Sequence, residues 1–337
     1  MKPTNFARYL SDFIARYLIS EKGASKNTVA AYRDAFILLI RYMEEVEKLK
    51  VEKLELNHIT KETVLGFLDW LQVERKCGSS TRNARLAAIH SFYSYLQHES
   101  IEYLHESQRI LSVKFKKKPK ETITYLTLEG IKILLEQANI TTRRGRRDLA
   151  LLSLMYDTGS RVQEIIDLTP ANLHLTSPAT VTVMGKGNKA RLIPMLDIQT
   201  EHLKAYLREN KLEDRSASLY PLFSNSKGEK LTRAGVAHIL KKYVEAARNK
   251  DVLLVPEKLS CHSLRHSKAM HLLQAGVNLI YIRDILGHVS IQTTEIYARA
   301  DSKQKREALE KAYVNVNPEE KPRWESNESL IDWLKNF

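Results

Sequence analysis

The stretch KFKKKPKETIT, residues 114–124, divides the chain. Apolar residues recur at regular intervals on both sides of it and lose that regularity from about residue 112 to 124. A lysine run broken by Pro119 does not continue a helix, because proline lacks the amide proton and clashes with the preceding turn. The stretch reads as a linker over residues 113–124, between one domain at 1–112 and another at 125–312, with a tail at 313–337. The length agrees: 337 residues exceed one ordinary domain and leave each part enough chain to bury a core.

Upstream of the linker the pattern is helical. Phe6, Tyr9, Leu10, Phe13, Ile14, Tyr17 and Leu18 advance by threes and ones along a single stripe. A second helix is expected after Ser25, a favourable N-cap, burying Tyr32, Phe36, Leu39, Ile40 and Met43. A third starts near Thr60 with Val64, Phe67, Leu68 and Leu71. A fourth, capped at Ser79 or Ser80, carries Leu86, Ile89, Phe92, Tyr93 and Leu96. Four such stripes can close on one another as a small bundle.

Downstream the pattern is mixed. Thr127 or Leu128 opens a helix with Ile131, Leu134 and Leu135, and Leu149 to Tyr156 is a nearly all-apolar helix ending at Gly159. Thr180 to Met184 and Arg191 to Pro194 read as short strands joined by GKGNK, in which Gly187 and Asn188 tolerate the positive φ of a tight hairpin. Helices resume to about residue 312. The expected fold class is therefore α+β, mainly α with a small β-hairpin or sheet in the second domain.

Composition bounds the function. A soluble balance of 43% hydrophobic and 28% charged residues, with no apolar run of bilayer length, predicts no membrane span. The opening MKPTNFARYLSDF reads as amphipathic structure and not as a targeting segment, so the cytoplasm is expected. Cys77 and Cys261 are too few for a disulfide framework. The net charge of +13 concentrates polyanions, and its clustering in KFKKKPK (114–120) and RRGRR (143–147) points to nucleic-acid phosphates.

Four segments of the second domain carry candidate chemistry: TGSRVQE at 158–164, GKGNKARLIP at 185–194, CHSLRH at 261–266 and LGHVSIQTTEIY at 286–297. Each alone is weak. Together they supply what attack on a phosphodiester needs. Arg161 and Arg265 can clamp the non-bridging oxygens, since a guanidinium donates two hydrogen bonds to one phosphate and stays charged. Lys186, on a short hairpin, can protonate the departing 5′ oxygen, and Lys189 is the second choice. His262 lies three residues before Arg265, on the same helical face, and His288 follows Gly287 at a helix end. Tyr297 offers a hydroxyl of reference pKa about 10, a poor nucleophile unless nearby cations favour the phenolate.

These four segments resemble the signature boxes of the tyrosine recombinases, the family of phage and transposon integrases and Xer-type recombinases, in the family's order and with similar spacing. The stretch SSTRNARLAAIHSFYSYL in the first domain is similar to the family's helical, SAM-like core-binding domain, so the resemblance covers most of residues 1–312. It implies a core-binding domain and a catalytic domain forming a C-shaped clamp on DNA. Position by position it implies that Arg161 is the first catalytic arginine and that Glu164 orients it. Lys186 is then the hairpin general acid, His262 and Arg265 the H-x-x-R pair, His288 the second histidine and Tyr297 the nucleophile. The implied reaction is transesterification through a 3′-phosphotyrosine link, with neither ATP nor a catalytic metal as cofactor.

The residues expected to touch DNA are Lys26, Ser80, Thr81, Arg82, Arg85, Lys117, Lys118, Lys189 and Arg191. His266 is read as a buried, hydrogen-bonded helix residue. Zinc binding by His262 and His266 is disfavoured, because no Glu follows the first histidine and an arginine lies between them. The expected assembly is a homotetramer on paired DNA sites, with a tail helix carrying Leu330, Ile331, Trp333 and Leu334 as the contact between subunits. No arm-binding domain is expected ahead of the core-binding bundle, which favours either a transposon-type integrase or an Xer-type chromosome resolvase, and of these the mobile-element integrase is preferred. A chromosome dimer resolvase, a type IB topoisomerase and a non-catalytic DNA-binding protein are the alternatives.

Overall fold

Thr4, Ser25, Thr60, Thr127, Thr142 and Thr232 each accept a hydrogen bond from the amide three residues on, and each starts a helix. Such a cap is worth about 1 kcal/mol, because it satisfies an amide that the first turn leaves unpaired. The structure, a computed structural model, describes residues 3–117, 123–185, 187, 189–300 and 334–335. Lys118, Lys186 and the tail through Trp333 lie outside the described residues. Contacts divide the chain into two compact units, one ending at Glu121 and the other beginning at Thr122.

The first unit is helical. Helix α1 (Asn5–Asp12) runs on as a π-type helix over Phe13–Glu21, where the amide of Lys22 reaches back five residues to the Tyr17 carbonyl at 2.8 Å. Helices α2 (Lys26–Glu45), α3 (Lys61–Val73) and α4 (Ser79–Glu99) carry the remaining expected stripes. The cap of α4 is Gly78, one residue earlier than expected, and a short fifth helix, α5 (Leu104–Leu111), packs on α4. The core centres on aromatic rings set edge to face, which suits their quadrupoles. Phe92 meets Phe13 at 5.4 Å and Phe36 at 5.3 Å between ring centres.

The second unit begins with α6 (Leu128–Leu135), α7 (Arg143–Thr158) and the short α8 (Val162–Ile166). Helix α7 starts at Arg143 and not at Leu149, so RRGRR forms its first turns. Arg143 donates to Asn210, Arg146 pairs with Glu209, and Arg147 pairs with Asp148 and donates to the Ser224 carbonyl. Arg147 is thereby engaged inside the unit, whereas Arg143 and Arg144 stay exposed.

Strands β1 (Leu173–His174), β2 (Thr180–Met184) and β3 (Ala190–Pro194) form an antiparallel sheet in that order, and β1 was not expected. Register pairs Val181 with Ile193 and Val183 with Arg191. Val181, Val183 and Ile193 are buried on the inward face. The unit continues with α9 (Asp197–Glu209), α10 (Arg233–Arg248), α11 (Cys261–Gln274), α12 (Leu279–Leu286) and α13 (Gln292–Ala300). A main core gathers around α7, α10 and the sheet, and a smaller one joins Met270, Leu273, Ile282, Leu286 and Tyr297. Among the described residues no helix is long and apolar enough to cross a membrane.

Candidate active site

Two helices end on glycines in the left-handed region, and those two ends build the site. Gly159 (φ +57°) closes α7 and Gly287 (φ +64°) closes α12. Only glycine adopts this conformation without strain, and it lets the chain turn sharply so that carbonyls point to one side. Arg265, on the first turns of α11, takes both ends at once. Its Nη1 donates to the Gly159 carbonyl at 2.8 Å and its Nη2 to the Leu286 carbonyl at 2.7 Å. It is 2% exposed.

Arg161 is the N-cap of α8, and its backbone amide and Nη1 both donate to the Glu164 carboxylate at 2.8 Å. Its Nη2 lies 3.5 Å from the Gly287 carbonyl. The guanidiniums of Arg161 and Arg265 thus hang from the carbonyls of consecutive residues. Burial first, then the neighbouring Arg161, pushes Arg265 down to about 10. Charge crowded in this way is relieved by an incoming anion.

Glu164 is buried and also accepts from Arg191 Nη2 at 2.7 Å. Burial alone would raise its carboxyl, but the bonds from Arg191 and Arg161 outweigh that and hold it below the usual range. Two guanidiniums share this carboxylate while Arg265 is bonded to carbonyls, so the site carries excess positive charge.

The histidines surround Tyr297. His266 Nδ1 lies 2.9 Å from the Tyr297 hydroxyl, and His288 stacks on the tyrosine ring with centroids 6.4 Å apart. His288 Nδ1 lies 2.9 Å from the Thr294 hydroxyl. Burial, and then nearby cations, push His288 down to about 4, while burial followed by His262 and Arg265 does the same to His266. His262, at the exposed start of α11, has its ring 5.4 Å from that of His266, and it too is held low by partial desolvation, Arg265 and Arg161.

Tyr297 is 1% exposed, and its burial raises its pKa more than Arg265 and Arg161 lower it. The expectation that the surrounding cations would favour the phenolate is therefore corrected for the DNA-free protein: desolvation wins and the phenol keeps its proton.

The structure brings together Arg161, Glu164, His262, Arg265, His288 and Tyr297, while Lys186 lies outside the described residues. Among the expected DNA contacts, Lys26, Ser80, Thr81, Lys117 and Lys189 are exposed, and Lys118 lies outside the described residues. Two expectations of display are corrected. Arg82 is 3% exposed and donates to Asn83, because it shares a helical face with the buried Leu86, Ile89 and Tyr93. Arg191 turns inward because, two residues before the buried Ile193 and paired with the buried Val183, it lies on the inward face of β3. Arg85 is half-buried and donates to the Ala31 carbonyl.

Sequence reasoning missed the contact of His266 with Tyr297 and the internal role of Arg191. Strand alternation was a signal for the second, whereas nothing local announced the first. His271, further along α11, bonds to Tyr156, and among the described residues no group of three or more His, Cys, Asp or Glu is arranged to hold a metal ion.

Comparison with known proteins agrees with this geometry. Residues 124–304 match the family described as phage integrase family, and residues 12–100 match its N-terminal SAM-like domain. The chain is 34% identical over 336 residues to "Putative integrase/recombinase y4rC" of Sinorhizobium fredii, covering 100% of this chain and 99% of the relative. It is 34% identical over 300 residues to tyrosine recombinase XerD of Halalkalibacterium halodurans, covering 88% of this chain and 94% of the relative. In fold it is similar to the Tn1549 transposon integrase in complex with transposon right end DNA, with a TM-score of 0.69 at 15% identity, covering 90% and 99% of the two chains. The two matched segments, the full-length similarity and the gathered arginines, histidines and tyrosine agree: the chain belongs to the phage integrase family of tyrosine recombinases.

Proposed function

We propose that this chain is a site-specific DNA recombinase that cuts and rejoins strands through a covalent link at Tyr297. The single observation that carries the reading is a buried tyrosine lying in the field of two guanidiniums anchored on adjacent carbonyls. Arg161 and Arg265 hold the non-bridging oxygens of the scissile phosphate, where charge grows in the transition state. The Tyr297 oxygen bonds to phosphorus as the bond to the 5′ oxygen breaks. The phenolic proton leaves to a neighbouring base, and the 5′ oxygen receives one from Lys186, with Lys189 as the second candidate. The product is a 3′-phosphotyrosine and a free 5′ hydroxyl. A 5′ hydroxyl from another strand then reverses the step, so one phosphoester replaces another and no external energy source is consumed.

The test is a nicked duplex from which the strand beyond the cut diffuses away, trapping the covalent product. Wild-type protein is expected to migrate with the DNA on a denaturing gel and Tyr297→Phe is not. No adduct that depends on Tyr297 would end the enzyme reading.

Within this function we favour integration and excision of a mobile element, supported by full-length similarity to the Sinorhizobium fredii protein. Similarity to XerD over 88% of the chain supports a second reading, resolution of chromosome dimers. Inverted repeats or element ends beside the gene favour the first, and a lone gene acting on a chromosomal site favours the second. The proposed partner is duplex DNA bound by four copies of the chain in the cytoplasm, with domains at 1–112 and 125–312 and a subunit contact at 313–337.

A further inference from the structure

Arg191 is held more firmly than Arg161. Its Nε donates to the Ile285 carbonyl at 2.9 Å, and its Nη2 donates to Ser160 Oγ at 3.2 Å and Glu164 Oε2 at 2.7 Å. Its side chain is 11% exposed, against 36% for Arg161. A Cβ added to Gly287 would stand 2.9 Å from its Nη1 and 3.1 Å from its Cδ and Cζ, so the guanidinium lies directly against the glycine that turns the chain toward His288.

The rest of Arg161's support is thin. Its side chain is partly exposed, and its contact to Gly287 is long at 3.5 Å. Its aim depends on Glu164, whose Oε1 takes the Arg161 guanidinium while Oε2 takes Arg191 and the Arg161 amide. Arg191 is the group outside Arg161 that fixes this carboxylate; without it both oxygens are held by Arg161 alone, and the two side chains can shift together.

We propose that Arg191 is a positioning residue for the phosphate clamp, aiming Arg161 through Glu164. This rests on the reading above, in which Arg161 binds the scissile phosphate. A guanidinium is required because three acceptors in different directions need its planar fork, which an ammonium does not reproduce.

The experiment compares wild type, Tyr297→Phe, Arg191→Met, Arg191→Lys, Glu164→Gln and the Arg191→Met, Glu164→Gln double variant. DNA affinity and single-turnover formation of the covalent adduct are measured on two substrates. One is the ordinary nicked duplex, and the other carries sulfur at the bridging 5′ position, a leaving group that needs no proton. Arg191→Met and Arg191→Lys are expected to cleave both substrates roughly a hundredfold more slowly, the scale of a misplaced reacting group. Their DNA affinity is expected to stay unchanged, and the double variant to be no slower than Glu164→Gln alone, since residues acting through one partner do not add.

Recovery of Arg191→Met on the sulfur substrate would overturn the proposal, because the residue would then act through the hairpin lysine. Full rate in either Arg191 variant, or additive losses in the double variant, would overturn it as well. If Arg191→Met fails to fold by thermal melting, Arg191→Lys, which keeps the buried charge, decides alone. Absence of a wild-type adduct dependent on Tyr297 instead removes the reading on which the proposal rests.

Discussion

His266 Nδ1 and the hydroxyl of Tyr297 are 2.9 Å apart, so the buried phenol is tethered to α11, the helix that also carries Arg265. The imidazole, pushed down to about 4 by burial and its cationic neighbours, is neutral at pH 7. A neutral ring nitrogen beside a protonated phenol accepts its hydrogen bond and can orient the oxygen for attack.

Replacement of that acceptor by a ring of similar size tests the tether. His266→Phe is expected to slow covalent adduct formation by about a hundredfold, the lower end of what a positioned acid–base partner contributes, while DNA binding holds. Wild-type cleavage by His266→Phe would show that the bond belongs to the resting protein alone.

Arg265 is a structural fastener as well as a candidate clamp, since it bonds the ends of both α7 and α12. Arg265→Lys can reach one carbonyl and leaves the other buried without a donor. The expected loss is about 1–3 kcal/mol of stability, read as a lower urea midpoint at unchanged slope. Cleavage falls with it.

Acid should loosen the second unit through its histidines. From pH 6.5 downward the unfolded chain binds protons at His266 and His288, whereas the folded chain resists until about pH 4. The unfolded state therefore gains protons first, and stability falls as pH drops through that window. The melting temperature is expected to decline between these limits, and the paired substitutions His266→Gln and His288→Gln to flatten that decline. An unchanged slope in the double variant would assign acid sensitivity to other groups.

Gly287→Ala combines two penalties at one position. Its φ of +64° costs a residue with a Cβ about 1–2 kcal/mol, and the added methyl meets the Arg191 guanidinium. Chemical denaturation is expected to report at least the first penalty. Adduct formation should fall further than stability does, because Arg191 is displaced. Equal stability in the two proteins would mean that the turn relaxes freely.

Much of this was legible in the residues. Capping by Ser25, Thr60 and Thr127 and the apolar stripes after them are local effects, so the helices of both units could be read from spacing, although α5 and β1 were too short to signal themselves. The boxes around Arg161, Arg265, His288 and Tyr297 were legible because each joins a reactive side chain to a turn-forming glycine or a helical interval. Arg82 and Arg191 show where a charge misleads. Both were read as DNA-facing from their charge and their place at a helix start and beside the hairpin lysine, although Leu86 four residues along a helix and Ile193 two along a strand gave their true direction.

The sequence by itself determined the helical caps and stripes, the hairpin, and the set of side chains that match the family. Only the tertiary structure decided which of those side chains meet. The carbonyls of Gly159, Leu286 and Gly287 face the arginines because two distant helices end side by side, and His266 finds Tyr297 because α11 packs on α13. Backbone preferences reach only a few residues along the chain. Contacts between groups many residues apart, and the desolvation that raises the Tyr297 pKa, exist only once the core has closed around them.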